Sequence, residues 1–542
     1  MILSLVFSKI HSLSLTFEVR DFFLQAIINE CHNITPTFYK DDDTLTIHLE
    51  GEETELLDFC QKLESIVPLS LQWVFKELTN TETKLPFLKL QKQDLPFLTP
   101  KELEKITKKD SPHFCNLWED FASYHQNKLT LIENGEKIPL TNAKELQNTL
   151  KQIAQKLISK EEIFIKTSMG KKSLVLFDEN SPIPPKEDFI FMPFCLNSTQ
   201  TLFITTKEEL QALATLEKPI IHLRHKAVFA NFFPQREAPC ILPFDPLLLL
   251  LTKFLDNYNG LYLLPPKEEK IQNGICAFFN KDIMPPKITI GSNSIIVPHN
   301  TKKISNILQE FHQKIEKENL DNINILYCYK DTKVLMHLHK TTKQALSFCF
   351  ETNPNLILQT LKELNETTQK LVKNFSAPNK AIINYFQNFA QESRVSNNIL
   401  DLMGVCGLFL GFSNKNKLQD ALEESYQNLM LHAKNFMGNK GPRIDFKLEK
   451  NKDNISLNPL KTICSTMSFN LAGVDKELLS FGILDSLAEF FANFLRDLEE
   501  NFQTKNVLIY GELFTHKQFL DKFIHYYPKS SEILPLDFCD IV

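Results

Sequence analysis

Scarcity of glycine is the feature that most narrows what this chain can build. Fourteen glycines stand among 542 residues, and no two of them form a GxG. Proteins usually carry roughly 7% glycine. Loops that wrap phosphate use it for positive φ and to let a ligand approach the main chain, so such loops must be few here. The stretch "TSMGKKS" at 167–173 imitates the tail of a Walker A loop, but that motif's first glycine falls on Ile165. Gly170 therefore reads as a turn between strands.

Composition sets the remaining bounds. At 542 residues and 43% apolar, the chain can form several cores, enough for three or four domains. Its 60 basic and 66 acidic residues are interspersed and leave a formal net charge of −6, which offers no basic footprint for nucleic acid. Eleven cysteines without a CxxC pair read as buried thiols in a reducing cytosol, not as a disulfide framework or a zinc finger. The start "MILSLVFSKIH" has no basic segment before its apolar run, and "ILPFDPLLLLLTKFL" is too short and interrupted to span a bilayer. Together these predict a soluble, cytoplasmic protein with neither membrane insertion nor a nucleic-acid partner.

The first 78 residues alternate clearly. An apolar strand near 12–19, a helix from Asp21 to about Cys31, the hairpin "TPTFYKDDDTLTIHLEG", a helix "ETELLDFCQKLESIV" and a strand "LSLQWVFKEL" predict β-α-β-β-α-β, a ferredoxin-like unit. Arg20 stands where the first strand turns into the first helix. There it is either an anion holder, through its forked donors, or an ordinary surface charge.

This unit resembles an acylphosphatase domain, whose arginine at the first helix start cradles the acyl phosphate. The resemblance implies that role for Arg20 and places Lys40 where the family has the asparagine that orients water. The loop before Arg20 reads "SLTFE", without the family's glycines. The order of the remaining segments resembles the hydrogenase-maturation carbamoyltransferase family HypF. That family joins acylphosphatase, zinc-finger, YrdC-like and TsaD-like domains. The expected architecture is thus a multidomain α/β and α+β chain. It comprises an acylphosphatase-like domain at 1–78, a shortened connector replacing zinc fingers at 79–126, a YrdC-like domain at 127–279, and a reduced, two-lobed TsaD/ASKHA-like (actin-type ATPase) domain at 280–542. The segments "KPIIHLRHK" and "ILPFDPLLLLL" carry the YrdC likeness, while "FETNPN", "LMGVCGLFLG" and "NVLIYGELFTHKQFL" carry the last one.

The family's ligand-holding motifs are largely replaced. The connector holds only Cys115, flanked by His113 and His125, which is short of a zinc site. Lys186 and Arg224 stand roughly where the family holds nucleotide phosphates, but its Ser-Gly-Asn loop reads "LYLLPPKEEK", with Pro265 and Pro266 supplying no donors. Gly511 remains of a Gly-Gly nucleotide turn and is followed by Glu512. The Asp-Gly-Thr-Gly loop reads "FETNPN", with Glu351 and Asn353, and a family aspartate falls on Gly404. Of the histidine cluster, His337 and His339 survive. On one strand they would share a face and could ligate a metal. The resemblance therefore implies a hydrogenase assembly factor that acts as a non-catalytic scaffold for a hydrogenase subunit or maturation protein, with no cofactor. The alternative is a divergent carbamoyl or acyl-phosphate enzyme using ATP with Mg.

Overall fold

A computed structural model gives the architecture. It describes residues 1–10, 19–83, 85, 129–133, 135–140, 142–167, 169–181, 184–185, 188–265, 274–277, 285–300, 307–451, 454–536 and 539–540. Lys186, Pro266, the segment 11–18 and the connector from residue 86 onward, with His113, Cys115 and His125, lie outside the described residues. The chain divides into two compact units, Met1–Ile288 and Thr289–Val542.

The first unit begins with Ile2–Lys9 (β1), Val19–Glu30 (α1), Thr35–Lys40 (β2), Thr44–Glu50 (β3), Glu53–Ile66 (α2) and Trp73–Asn80 (β4). The sheet runs β2-β3-β1-β4, the ferredoxin-like order. The sheet's first strand is β1 at Ile2–Lys9, while the strand expected near 12–19 lies, up to residue 18, outside the described residues. Central β1 bonds antiparallel to β3, with Leu5 opposite Ile47, and to β4, with Leu5 opposite Leu78. Leu3, Leu5 and Phe7 of β1 meet Phe22, Phe23 and Ile27 of α1 and Leu56 and Phe59 of α2 in one core. Burying each such side chain fully is worth roughly 1.5–3 kcal/mol.

The rest of this unit is a mixed sheet with helices. Gly260–Leu264, buried at every position, pairs antiparallel with Gly170–Leu176 and Ile190–Pro193, as befits a continuous apolar run in a sheet interior. Helix Ala143–Ile158 buries Leu146, Leu150, Ile153 and Leu157 along one face, and its cap Asn142 accepts the Glu145 N–H at 3.0 Å. In "FDPLLLLL", Asp245 caps the helix Pro246–Thr252, with the proline at the position that needs no N–H. Gly170 has φ +80° and closes the hairpin between Ile163–Thr167 and Gly170–Leu176, so the Walker-like stretch is a turn.

In the second unit, the five-stranded sheet brings distant sequence together. Its order is Thr341–Leu346, Thr332–Leu338, Ile323–Cys328, Val507–Gly511 and Ile533–Pro535, the third and fourth strands being parallel. The helices between residues 354 and 502 fill the core. Lys476–Phe502 is long and apolar enough to cross a membrane, but 83% of its apolar window is buried inside the protein, as in a core helix.

Candidate functional site

Arg20 and Lys40 come together, and a carboxylate lies between them. Arg20 enters the first turn of α1, and Lys40 ends β2 just before the acidic turn 41–43. Arg20 Nη1 donates to the Asp41 carbonyl, and its Nε lies 3.5 Å from Asp21 Oδ1. Lys40 Nζ donates to that same oxygen at 2.8 Å. The Asp41 carboxylate instead accepts Asp43 N at 2.9 Å, Thr44 N at 2.6 Å and Thr44 Oγ1 at 2.8 Å. These hydrogen bonds, Thr44's hydroxyl first, hold it below the usual carboxylate range. The sequence reading overlooked Asp21. Its signal was an acid directly after the arginine with a lysine across the fold.

Arg224 lies on Ile220–His225, opposite Glu237 on one side and Ile204 on the other. The apolar cavity of this domain, about 400 Å³, is lined by Leu157, Val175, Phe232, Tyr258, Tyr262 and Leu264 among others, and Arg224 is not part of its wall. A second overlooked acid is Glu217, only 2% exposed. Its carboxylate accepts Leu71 N at 3.0 Å, Gln72 N at 3.2 Å and the Ser70 hydroxyl, all from the turn before β4. Beside it Leu216 N donates to the Leu69 carbonyl at 2.8 Å, and the Leu216 side chain joins the ferredoxin-like core. Burial pushes Glu217 up while these donors pull it down, and burial wins.

In the second unit, a cleft of about 310 Å³ is lined by Tyr329, Lys330, Arg394, Asp401, Tyr426 and Glu512 among others. Gly511 (φ +124°) borders it, where a Cβ would collide with the Cys328 carbonyl on the neighbouring strand. The glycine expected at a nucleotide turn thus has a packing reason. Glu512 accepts Gln427 Nε2 at 3.3 Å, and burial raises its pKa. Across the cleft, Arg394 Nη2 lies 3.0 Å from Asp401.

"FETNPN" is closed by its own side chains. Glu351 Oε1 accepts Asn353 N at 2.8 Å and Arg394 N at 3.1 Å, and its Oε2 accepts the Ser393 hydroxyl at 2.9 Å. Although burial opposes it, this set of donors holds Glu351 below the usual range. Fully buried Asn353 caps the helix Pro354–Leu364 by accepting Asn355 N, and donates to the Phe389 carbonyl at 2.6 Å. Those N–H groups are no longer open to a phosphate. Gly404 and Gly407 let helix Ile399–Phe409 press on Leu418–Asn435. A Cβ at either would stand 2.6 Å from a carbonyl, of Leu422 or Ser425.

The histidine pair is corrected. His337 is buried on Thr332–Leu338, while His339 is exposed in the turn that follows, with φ +46°, so the two share no strand face. His337 Nδ1 lies 2.9 Å from Thr342 Oγ1, which also faces His312 Nε2 at 3.2 Å. No group of three potential metal-ligating side chains occurs among the described residues.

Comparison with known proteins fits this geometry. No family model matches the chain. It is 30% identical over 514 residues to the protein HydE of Wolinella succinogenes, covering 90% of this chain and 91% of that one. The chain belongs to the HydE family. Two solved structures share its fold from end to end. Full-length HypF, in a phosphate- and nucleotide-bound form, aligns with a TM-score of 0.62 at 12% identity over 100% of this chain and 96% of its own. HypF of T. kodakarensis aligns at 0.59 and 10% identity over 99% and 96%. This HydE-family chain is therefore a multidomain α/β protein with the HypF fold.

Proposed function

We propose that this HydE-family protein serves nickel-iron hydrogenase maturation as a non-catalytic scaffold in the cytoplasm, binding a hydrogenase subunit or another maturation protein without nucleotide or metal. One observation carries the reading. At "FETNPN" the Glu351 carboxylate takes the backbone donors, Asn353 N and Arg394 N, that an anion-binding turn would offer to phosphate. Glu512, Gly404 and the Asp21–Lys40 pair point the same way. A fold can be kept for its surface after its chemistry is lost.

The test uses the full chain. Mg-ATP should leave its melting temperature unchanged, because a ligand at a hundred times its dissociation constant adds roughly 2.7 kcal/mol. In cells, deleting the gene should lower hydrogenase activity, and the tagged protein should co-purify with a hydrogenase subunit or maturation protein. A clear Mg-ATP shift, or turnover of carbamoyl phosphate, would sink the scaffold reading. It would favour a divergent ATP-dependent carbamoyltransferase, a reading supported by the basic Lys330 and Arg394 that still line the cleft.

A further inference from the structure

We infer that Leu216 and Glu217 form a clasp that seats the ferredoxin-like domain on the mixed-sheet part of the same unit, and that loss of the Glu217 carboxylate lets this domain leave its seat while it stays folded. The inference goes beyond the scaffold reading and does not rest on it, since it concerns a contact within the first unit.

The two sheets share no strand pairing among the described residues, so turns make the seat. Three observations carry the clasp. First, the contact converges on one buried acid. Leu71 N lies 3.0 Å from both oxygens of the Glu217 carboxylate, Gln72 N lies 3.2 Å from one of them, and the Ser70 hydroxyl donates to that same oxygen. The hydroxyl oxygen in turn accepts Gln72 N at 3.0 Å and Trp73 N at 3.1 Å, so the whole turn before β4 is organised around Ser70 and presented to Glu217. A carboxylate is costly to bury, and here its donors come from another domain.

Second, Leu216 works beside it. Its N–H donates to the Leu69 carbonyl at 2.8 Å and its side chain joins the ferredoxin-like core, although its own chain segment links helix Lys207–Ala214 to strand Ile220–His225. Third, the backbone that presents the pair is strained. Lys218 stands at φ +44° directly before Pro219, where a residue favours extended backbone, and its N–H closes the turn onto the Thr215 carbonyl at 3.2 Å. Strain of this kind persists where surrounding contacts hold it.

The hold therefore acts as a unit. Removing the carboxylate takes the acceptor from the Leu71 N–H and the Ser70 hydroxyl together, and buried donors without a partner favour the opened state, in which water satisfies them. Each side keeps its own core, with Leu5, Phe23 and Ile47 in one and Leu174, Leu251 and Leu261 in the other, so opening parts two folded bodies.

The experiment follows hydrogen exchange, residue by residue by mass spectrometry, in the full chain and in Glu217→Gln and Glu217→Ala. The Leu216 amide is the deciding reporter, because it bonds to the Leu69 carbonyl and not to the Glu217 side chain. It should exchange at least about tenfold faster in both variants, together with the Leu71 amide, while amides of β1 and of Gly260–Leu264 keep the parent's protection. An unchanged Leu216 amide overturns the inference, since Glu217 would then serve only the turn at 70–72. Faster exchange throughout β1 overturns it as well, because the domain would then unfold instead of leaving its seat. If Glu217→Ala fails to fold, Glu217→Gln decides. Failure of both would show a single inseparable core and overturn the inference.

Discussion

Two carboxylates stand where the resemblance implies anion-holding positions, and they are held in different ways. In the ferredoxin-like domain Asp21 meets two side-chain cations, Arg20 and Lys40. In the second unit Glu351 accepts two backbone N–H groups and a hydroxyl, beside an asparagine that caps a helix. The first closure can be undone by changing one side chain. The second is part of the fold, because its donors would be left unsatisfied without it. A carboxylate can thus be held by side chains alone or built into a loop's backbone bonding, and only the first arrangement should be easily released.

The sharpest test in the second unit is Gly511→Ala. Gly511 holds a conformation favourable only to glycine, and a methyl there meets the Cys328 carbonyl of the adjacent buried strand. Backbone strain and overpacking each cost roughly 1–3 kcal/mol. A loss of about 3 kcal/mol or more is expected, read as a lower urea midpoint. If the variant is as stable as the parent, the glycine is a vestige of a ligand site and its packing role is refuted.

Glu351→Gln comes next. The amide keeps the shape but has one acceptor oxygen for three donors, so about 1–3 kcal/mol should be lost. Because the folded carboxyl sits below its usual value of 4.5, its stabilisation is present above that pH and disappears as pH falls through the lower folded value. The parent should therefore lose stability on acidification, and Glu351→Gln should lose less. Equal acid sensitivity in both would place Glu351 outside the loop's stability.

The elements were more legible than the sites, for physical reasons. Hydrophobic alternation is local, and it marked the ferredoxin-like unit, while the broken Walker pattern marked the Gly170 turn. The alternation did not name the stretch 2–9, which pairs with β3 and β4, because that stretch carries the same pattern as the one expected near 12–19. The contacts of the buried carboxylates are non-local. Asp21 and Lys40 are 19 residues apart, and Glu217 lies 147 residues from Ser70. The strand expected to hold His339 ends before it, because the turn at 339–340 takes His and Lys at φ +46° and +65° without the Gly, Asn, Asp, Pro or Ser that signal a turn in sequence. What could not be read was why the remaining glycines stay, which for Gly404, Gly407 and Gly511 is close backbone contact.

A smaller effect concerns His337, which sits on the same sheet as Gly511. Burial, then the neighbouring His312, lowers its pKa from 6.5. A depressed folded pKa means the unfolded chain binds the proton more readily. The group's contribution is therefore complete above 6.5 and is lost as pH falls through the folded value. A proton NMR titration should find the midpoint of His337 below 6.5. A midpoint at or above that value would contradict the burial argument.

The smallest effect is expected at Asp21. Arg20→Ala removes the donor to the Asp41 carbonyl and one of two cations at Asp21, but Lys40 stays at 2.8 Å and keeps the carboxylate paired. Part-exposed ion pairs of this kind contribute about 0–1 kcal/mol, so stability should change by less than roughly 1 kcal/mol, and hydrogenase maturation in cells should continue. The outcome separates the two arrangements more finely than stability alone. If Arg20→Ala abolishes maturation while the protein stays folded and abundant, the arginine is in use beyond its pairing with Asp21. If Arg20→Ala costs as much stability as Glu351→Gln, the ferredoxin-like cluster is integrated into its fold just as the second unit's loop is, and the contrast between the two regions disappears.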